Sequence, residues 1–218
     1  VGHVGENARK IKVLKKIYCS IVVLVTFSCS QAQQDCKLKK DQDSIKVYTC
    51  HTDTSRYKSI VAEFDLHSTL DQLGQVILDI PGYTRWQYNT IEAKPIKIIS
   101  GSEQIYRTVI AAPWPVTNRD MVVNIKIKYD QSNHGMMITT ESKAGIIPVA
   151  EGFVRVPSSR GIWTVRQKNK NQLHVRFTMQ IDPGGIVPAW IVNWVCAQAP
   201  YQSFKNLKGI FEKKNKMD

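Results

Sequence analysis

The stretch "DPGGIVPAWIVNWVCAQAPYQSFKNLKGIFEKKNK", residues 182–216, decides the fold. It opens with a turn, Asp182 to Gly185, and Pro188 suits the first turn of a helix, where a missing N–H costs nothing. Val187, Trp190, Trp194, Ala197, Tyr201, Phe204, Leu207 and Phe211 then recur at helical spacing. About 25 residues of helix would extend about 38 Å, with a kink expected at Pro200, which lacks an N–H and crowds the carbonyl before it. A helix with so large an apolar face needs a surface to cover.

That surface is written in the residues before it. Val123, Ile125, Ile127 and Tyr129 alternate with Asn124, Lys126 and Lys128, so one face is dry and the other wet, as in an antiparallel sheet. Similar runs occupy residues 91–100, 103–112, 134–142, 151–156, 160–168 and 171–181. Two earlier strands are expected at 45–51 and 57–67, where Ile60, Ala62, Phe64 and Leu66 share a face. Turn residues separate the later runs: Ser132-Asn133, Ser158-Ser159 and Asn169 to Asn171. One short helix interrupts them. Thr69 and Gln72 form a capping box, Leu70, Leu73, Ile77 and Ile80 line one side, and Pro81-Gly82 stops it. The loop that follows carries Tyr83, Trp86 and Tyr88. The expected class is α+β, a curved antiparallel β-sheet wrapped around a long C-terminal α-helix. Such a sheet encloses a tunnel unless large side chains fill it.

The N-terminal segment follows a different logic. Arg9, Lys10, Lys12, Lys15 and Lys16 precede an apolar run from Ile17 to Phe27, and Ser30 and Ala32 are placed for cleavage before Gln33. Residues 1–32 are therefore expected to be a signal peptide, and the mature chain to be exported, periplasmic or secreted. The opening on Val1 rather than Met points to an imperfectly placed start, so residues 1–10 carry no weight. Lipidation at Cys29 is the lesser expectation, because Thr26 and Phe27 do not suit a lipobox. Residues 33–44 are polar and expected to be a flexible lead-in, leaving 45–214 as the folded domain.

The 218-residue chain has a formal charge of +12. Setting aside the five cations and Glu6 that precede Gln33 leaves about +8. A basic surface favours anionic partners. No basic patch is interleaved with aromatics, so nucleic acid is not expected. Cys36, Cys50 and Cys196 remain after cleavage. Cys36 and Cys50 can join in an oxidising compartment, but an odd cysteine is left and the sequence leaves the pairing open. No nucleophile elbow, Cys–His spacing or metal-ligand cluster is present, and His51, His67, His134 and His174 are scattered. No catalytic residue, cofactor or metal is expected.

Four segments, "WQYNTIEA" (86–93), "APWPVTNRDMVV" (112–123), "EGFVRVPSSRGIW" (151–163) and "DPGGIVPAWIVNWVCAQAPYQSFKNL" (182–207), together resemble the START-type lipid-transfer domains of the helix-grip superfamily. The resemblance covers about Ile45 to Phe211. It implies a nine-stranded antiparallel sheet around the last helix, with an internal cavity that holds one lipid, sterol or similar apolar molecule for carriage or presentation. It also implies a cavity ion pair between Glu92 and Arg119, with Arg155 beside the cavity. Residues 141–152 match the family's lid loop, with Gly145, Ile146, Ile147 and Pro148 at its tip. On the last helix, Trp190, Asn193, Trp194 and Tyr201 are candidate lining residues.

From residue chemistry, Pro113 and Pro115 would fix the chain's approach to its turn, Trp114 would anchor it, and Asp120 would cap the turn or meet a surface base. A buried Asn193 would need a partner. The expected partners are an apolar small molecule and a membrane surface that attracts Lys205, Lys208, Lys213 and Lys214; the chain is expected to act as a monomer. An enzymatic alternative comes from the aromatic polyketide cyclases of the same superfamily, which would place titratable groups such as His174 inside the cavity. A further alternative is a scaffold whose interior is filled by its own aromatics.

Overall fold

The computed structural model describes residues 35–52 and 55–214. The expected signal peptide lies outside them.

Among the described residues ten strands form one sheet: β1 (Cys36–Gln42), β2 (Ile45–Thr52), β3 (Ser55–Leu66), β4 (Thr90–Ser100), β5 (Glu103–Ile110), β6 (Arg119–Asp130), β7 (Gly135–Ser142), β8 (Val154–Arg155), β9 (Ser158–Asn169) and β10 (Gln172–Asp182). Their order is β1-β2-β3-β10-β9-β7-β6-β5-β4, with the short β8 set parallel on β6 and the other pairings antiparallel. Two helices, α1 (Leu70–Leu78) and α2 (Tyr83–Trp86), joined by a 3-10 turn (Ile80–Gly82), separate β3 from β4. The last helix, α3, runs unbroken from Ala189 to Lys214 with Pro200 inside it.

Local chemistry sets these boundaries. The Thr69 hydroxyl accepts from the Gln72 N–H at 3.2 Å while the Gln72 amide oxygen accepts from the Thr69 N–H at 3.1 Å, the capping box expected for α1. Leu73, Ile77 and Ile80 turn inward from it. The aromatic loop after α1 winds into α2, because Tyr83 and Trp86 enter the core and the Tyr83 hydroxyl donates to the Ile77 carbonyl at 2.6 Å.

Alternation along the strands defines an inner face. Phe64 and Leu66 of β3, Met121, Val123, Ile125 and Ile127 of β6, and Leu173, Val175 and Phe177 of β10 join one core cluster. α1 covers this face beside β5, where the Gln104 side chain donates to the Leu78 carbonyl at 2.7 Å. α3 packs on β2 and β3.

The polar lead-in expected at residues 33–44 is corrected by the structure. Its described part forms β1, an edge strand paired antiparallel with β2 across one bulge at Lys39, with Cys36 opposite Cys50 and joined to it by a disulfide. The turn between them places Asp43 and Ser44 at φ 53° and 58°, the left-handed pair of a tight hairpin. β1 is solvent-facing nearly throughout, so its ladder needs no apolar alternation to signal it. This strand makes the sheet ten-stranded rather than nine-stranded. The run expected at 151–156 contracts to the two residues of β8.

Candidate functional site

Packing along α3 is uneven. Phe204, Leu207 and Phe211 are buried, Cys196 and Ala197 are half-buried, and Trp194 and Trp190 are 47% and 64% exposed. The sheet's inner face shows the same gradient. On β10, Leu173 and Val175 are fully buried, whereas Met179 and Ile181 are only partly buried. On β5, Tyr106 and Thr108 are buried and Ile110 is partly buried.

The packed half has an aromatic floor. The Phe204 ring lies 4.6 Å from Phe64, 5.2 Å from Trp163 and 5.3 Å from Phe177. Beyond it Ile110, Met179, Ile181 and Cys196 pack against the core cluster but are only partly buried. The less buried end of the inner face, its open end, comprises the end of β5, the end of β10 and the first half of α3.

Arg119 and Asp120, at the start of β6, point to opposite faces. Arg119 shares the inner face with Met121. Its guanidinium donates to the carbonyls of Pro183 at 3.3 Å, Gly184 at 3.1 Å, and Thr117, which fastens the lead-in to α3. Burial lowers its pKa. The Asp120 side chain is 0% exposed and faces outward, where Arg107 Nε donates to it at 2.8 Å and Arg155 donates to both its oxygens. Desolvation pushes the Asp120 carboxyl up, but the hydrogen bonds and charges of Arg155 and Arg107 outweigh it and hold the group below its ordinary value. The expectation that Asp120 caps a turn or meets a surface base is therefore corrected: it is the buried centre of an ion-pair network.

Glu92 and Arg119 do not meet. A bulge between Thr90 and Glu92 sets Glu92 opposite Val109 rather than Thr108, which turns it to the outer face. There it pairs with Arg107 at 3.0 Å and Lys94 at 3.1 Å. One extra residue on β4 thus separates two side chains that an even register would bring to the same face.

Arg155 fastens a loop. It donates to the carbonyls of Ala144 at 2.6 Å, Ile147 at 3.0 Å and Pro148 at 3.1 Å, so the segment with Gly145, Ile146, Ile147 and Pro148 is tied to the outer face of β6. Trp190, Asn193 and Trp194 sit on the exposed side of the first half of α3, whose Ile191 is buried, with Trp194 edge-on to Tyr88 at 6.3 Å. Asn193, being exposed, needs no buried partner. Tyr201 belongs to the packed half, and its hydroxyl donates to Asp43 at 2.6 Å, clasping α3 to the β1–β2 turn. Trp114 is 90% exposed, so it does not anchor its loop by burial.

His174 lies on the outer face, 2.9 Å from Asp65. A half-open cleft of about 920 Å³ lies near the C-terminal end of α3, lined by Asp43, Arg85, Lys205, Lys208 and Lys213 among others. Its charged walls do not suit an apolar guest. Among the described residues no group of His, Cys, Asp and Glu side chains could hold a metal ion, and no helix is long and apolar enough to cross a membrane. The roles of Asp120 and Arg107 escaped sequence reasoning; a charge alternation, Glu92, Arg107, Asp120, Arg155, was its only signal, spread over four strands.

The sequence profile of the START domain matches residues 23–215. An uncharacterized protein of Pseudomonas aeruginosa is 29% identical over 182 residues, covering 83% of this chain and 89% of that protein. The phosphatidylcholine transfer protein of Bos taurus is 24% identical over 127 residues, covering 57% of this chain and 59% of that protein. Among solved structures, a STAR-related lipid transfer protein from Xanthomonas axonopodis superposes with a TM-score of 0.74 at 26% identity, covering 81% of this chain and 98% of that one.

Proposed function

The chain belongs to the START domain family, and we propose that it carries or presents one lipid or similar apolar molecule held at the open end of its sheet. Relatives named as lipid-transfer proteins support the class of ligand. The observation that carries the reading is a gradient: Ile110, Met179, Ile181 and Cys196 are only partly buried at the edge of the core cluster, whereas Leu173, Val175, Phe204 and Leu207 are buried within it. Each ligand CH₂ buried there would contribute about 0.8 kcal/mol. Trp190 and Trp194 would close over the guest, and the exposed amide of Asn193 would meet its polar end. The aromatic floor around Phe204 would limit how deep the guest reaches. Arg119, Arg155, Glu92 and Tyr201 shape the site through the segments they fasten.

The route in and out is the same end. Trp114, Ile146, Val149, Ile186 and Trp190 are exposed on the loops and helix turn that border it, and Ile186 is 97% exposed. A membrane surface would meet these side chains rather than the lysines at the far end of α3. The Cys36–Cys50 disulfide fits export to an oxidising compartment, as the N-terminal segment implies.

Titration with a fluorescent phosphatidylcholine, a fluorescent fatty acid and a fluorescent sterol tests the proposal. Saturable uptake of at least one is expected, and Met179→Asp should abolish it while the thermal midpoint moves little. Failure of the folded wild-type protein to take up any of the three would refute it.

A further inference from the structure

We propose that the cleft beside the C-terminal half of α3 is an anion site, seated over Gly209, that takes a phosphoryl group. It is separate from the open end, and nothing in it depends on the carriage function proposed above.

Gly209 breaks a local rule without a packing reason. It lies inside α3, yet glycine is the poorest helix former after proline. Gly74 of α1 is required by packing, since a Cβ there would collide with the Tyr129 hydroxyl. A Cβ at Gly209 would meet no atom within 4 Å, and its φ is not in the left-handed region. Neither close approach nor backbone conformation calls for glycine here.

The neighbours of Gly209 give it a use. Lys205 and Lys213 stand one turn before and one turn after it on the same stripe of the helix, with Lys208 beside them. A glutamate at 209 would face both lysines at i−4 and i+4, an arrangement that stabilises a helix surface. The position best placed for a counter-carboxylate has no side chain, which leaves the seat to an anion from outside.

The surroundings suit one. Asp43 of the β1–β2 turn and Arg85 of α2 wall the cleft on either side of α3, around about 920 Å³. Four cations, Arg85, Lys205, Lys208 and Lys213, line it against two carboxylates, Asp43 and Glu212. Lys205 pairs with the Asp43 carboxylate at 2.8 Å and Arg85 with Asp79 at 2.5 Å. Lys208 donates instead to the neutral Asp43 carbonyl at 2.9 Å, a contact that does not offset its charge. A cation in the last turn also complements the helix macrodipole, which is reason enough for Lys213. It is no reason for Lys205, further than a turn from the end, or for Arg85 on another helix. Phosphoryl oxygens accept from several donors at once, from lysine as a point charge and from arginine as a planar fork. Exposed pairs are individually weak, so affinity comes from several together and should fall with salt.

Two probes test the site on the full chain. Pyrophosphate is titrated calorimetrically, and vesicles of phosphatidylcholine with and without phosphatidic acid are used in sedimentation. Gly209→Glu fills the seat with a carboxylate. It should raise the thermal midpoint by about 2–4 °C, through helix propensity and the two new pairs, and weaken phosphoryl binding about tenfold. Asp43→Asn keeps a residue that tolerates the left-handed turn and an acceptor for Tyr201, but releases Lys205, and should tighten binding about threefold.

Saturable pyrophosphate binding that Gly209→Glu weakens would assign a soluble ligand. Sedimentation with phosphatidic acid vesicles alone, again lost in Gly209→Glu, would assign a lipid headgroup. Binding of neither probe, or binding equal in wild type and Gly209→Glu, would overturn the site. A lowered midpoint in Gly209→Glu would overturn it as well, because glycine would then serve packing. Uptake of fluorescent lipid at the open end should be the same in all three proteins, so its failure bears on carriage and leaves this site standing.

Discussion

The ring of Phe204 lies 4.6 Å from that of Phe64, 26° from parallel, and this stack pins the buried side of α3 to β3. Phe204→Ala should destabilise the protein by about 3–5 kcal/mol, since a large cavity would open between α3, β3, β9 and β10. Trp190→Ala, 14 residues earlier on an exposed turn, should cost about 0.5 kcal/mol or less. Urea denaturation of the two variants reads the contrast; equal losses would mean that the first half of the helix is packed as tightly as the second.

Acid should act on the Asp120 network. Its carboxyl is held below the ordinary aspartate value in the folded protein, so the unfolded chain binds the proton first as pH falls. The stabilisation is therefore complete above that value and is lost as pH falls through the depressed folded pKa. Between pH 5 and 8 this group should contribute no pH dependence. Asp120→Asn should lose about 3 kcal/mol at pH 7, with a smaller further loss below pH 4 than wild type. Parallel acid-unfolding curves for the two proteins would show that Asp120 is not a stabilising anion.

Reduction of Cys36–Cys50 should lower stability by about 2–3 kcal/mol, given the short loop it closes. The loss should spread to the packed half of α3, because β1 and its turn hold that half: Lys40 donates to Gln198 at 2.9 Å and sits 3.9 Å from the Tyr201 ring centroid, while Tyr201 bonds Asp43. Thermal unfolding of Cys36→Ser/Cys50→Ser, with exchange at residues 198–208, checks both parts. A lower midpoint without faster exchange there would confine the effect to β1.

The sequence made the large elements legible because they bury one face. The apolar spacing of α3 and the alternation of β6 both follow from that requirement, and the Thr69–Gln72 capping box could be read from two residues. Three features were hidden for physical reasons. β1 buries neither face, so nothing in its pattern separates it from a solvated tail. The bulge that turns Glu92 outward depends on how β4 meets β5, a register no single strand records. Asp120 reads as a turn residue until Arg155, 35 positions later, folds over it. The candidate site follows the same rule: its apolar walls were visible as periodicity, whereas the ties that shape its rim are long-range.

Photocrosslinking is the most direct test of whether the open end holds a guest. The full chain would be incubated with a photoactivatable fatty acid and a photoactivatable sterol, irradiated, digested and mapped by mass spectrometry. Adducts should concentrate on Ile110, Met179, Ile181, Cys196 and the Trp190–Trp194 turn, and excess unlabelled lipid should displace them. Labelling confined to the outer face of the sheet, or labelling that unlabelled lipid does not compete away, would contradict an internal guest.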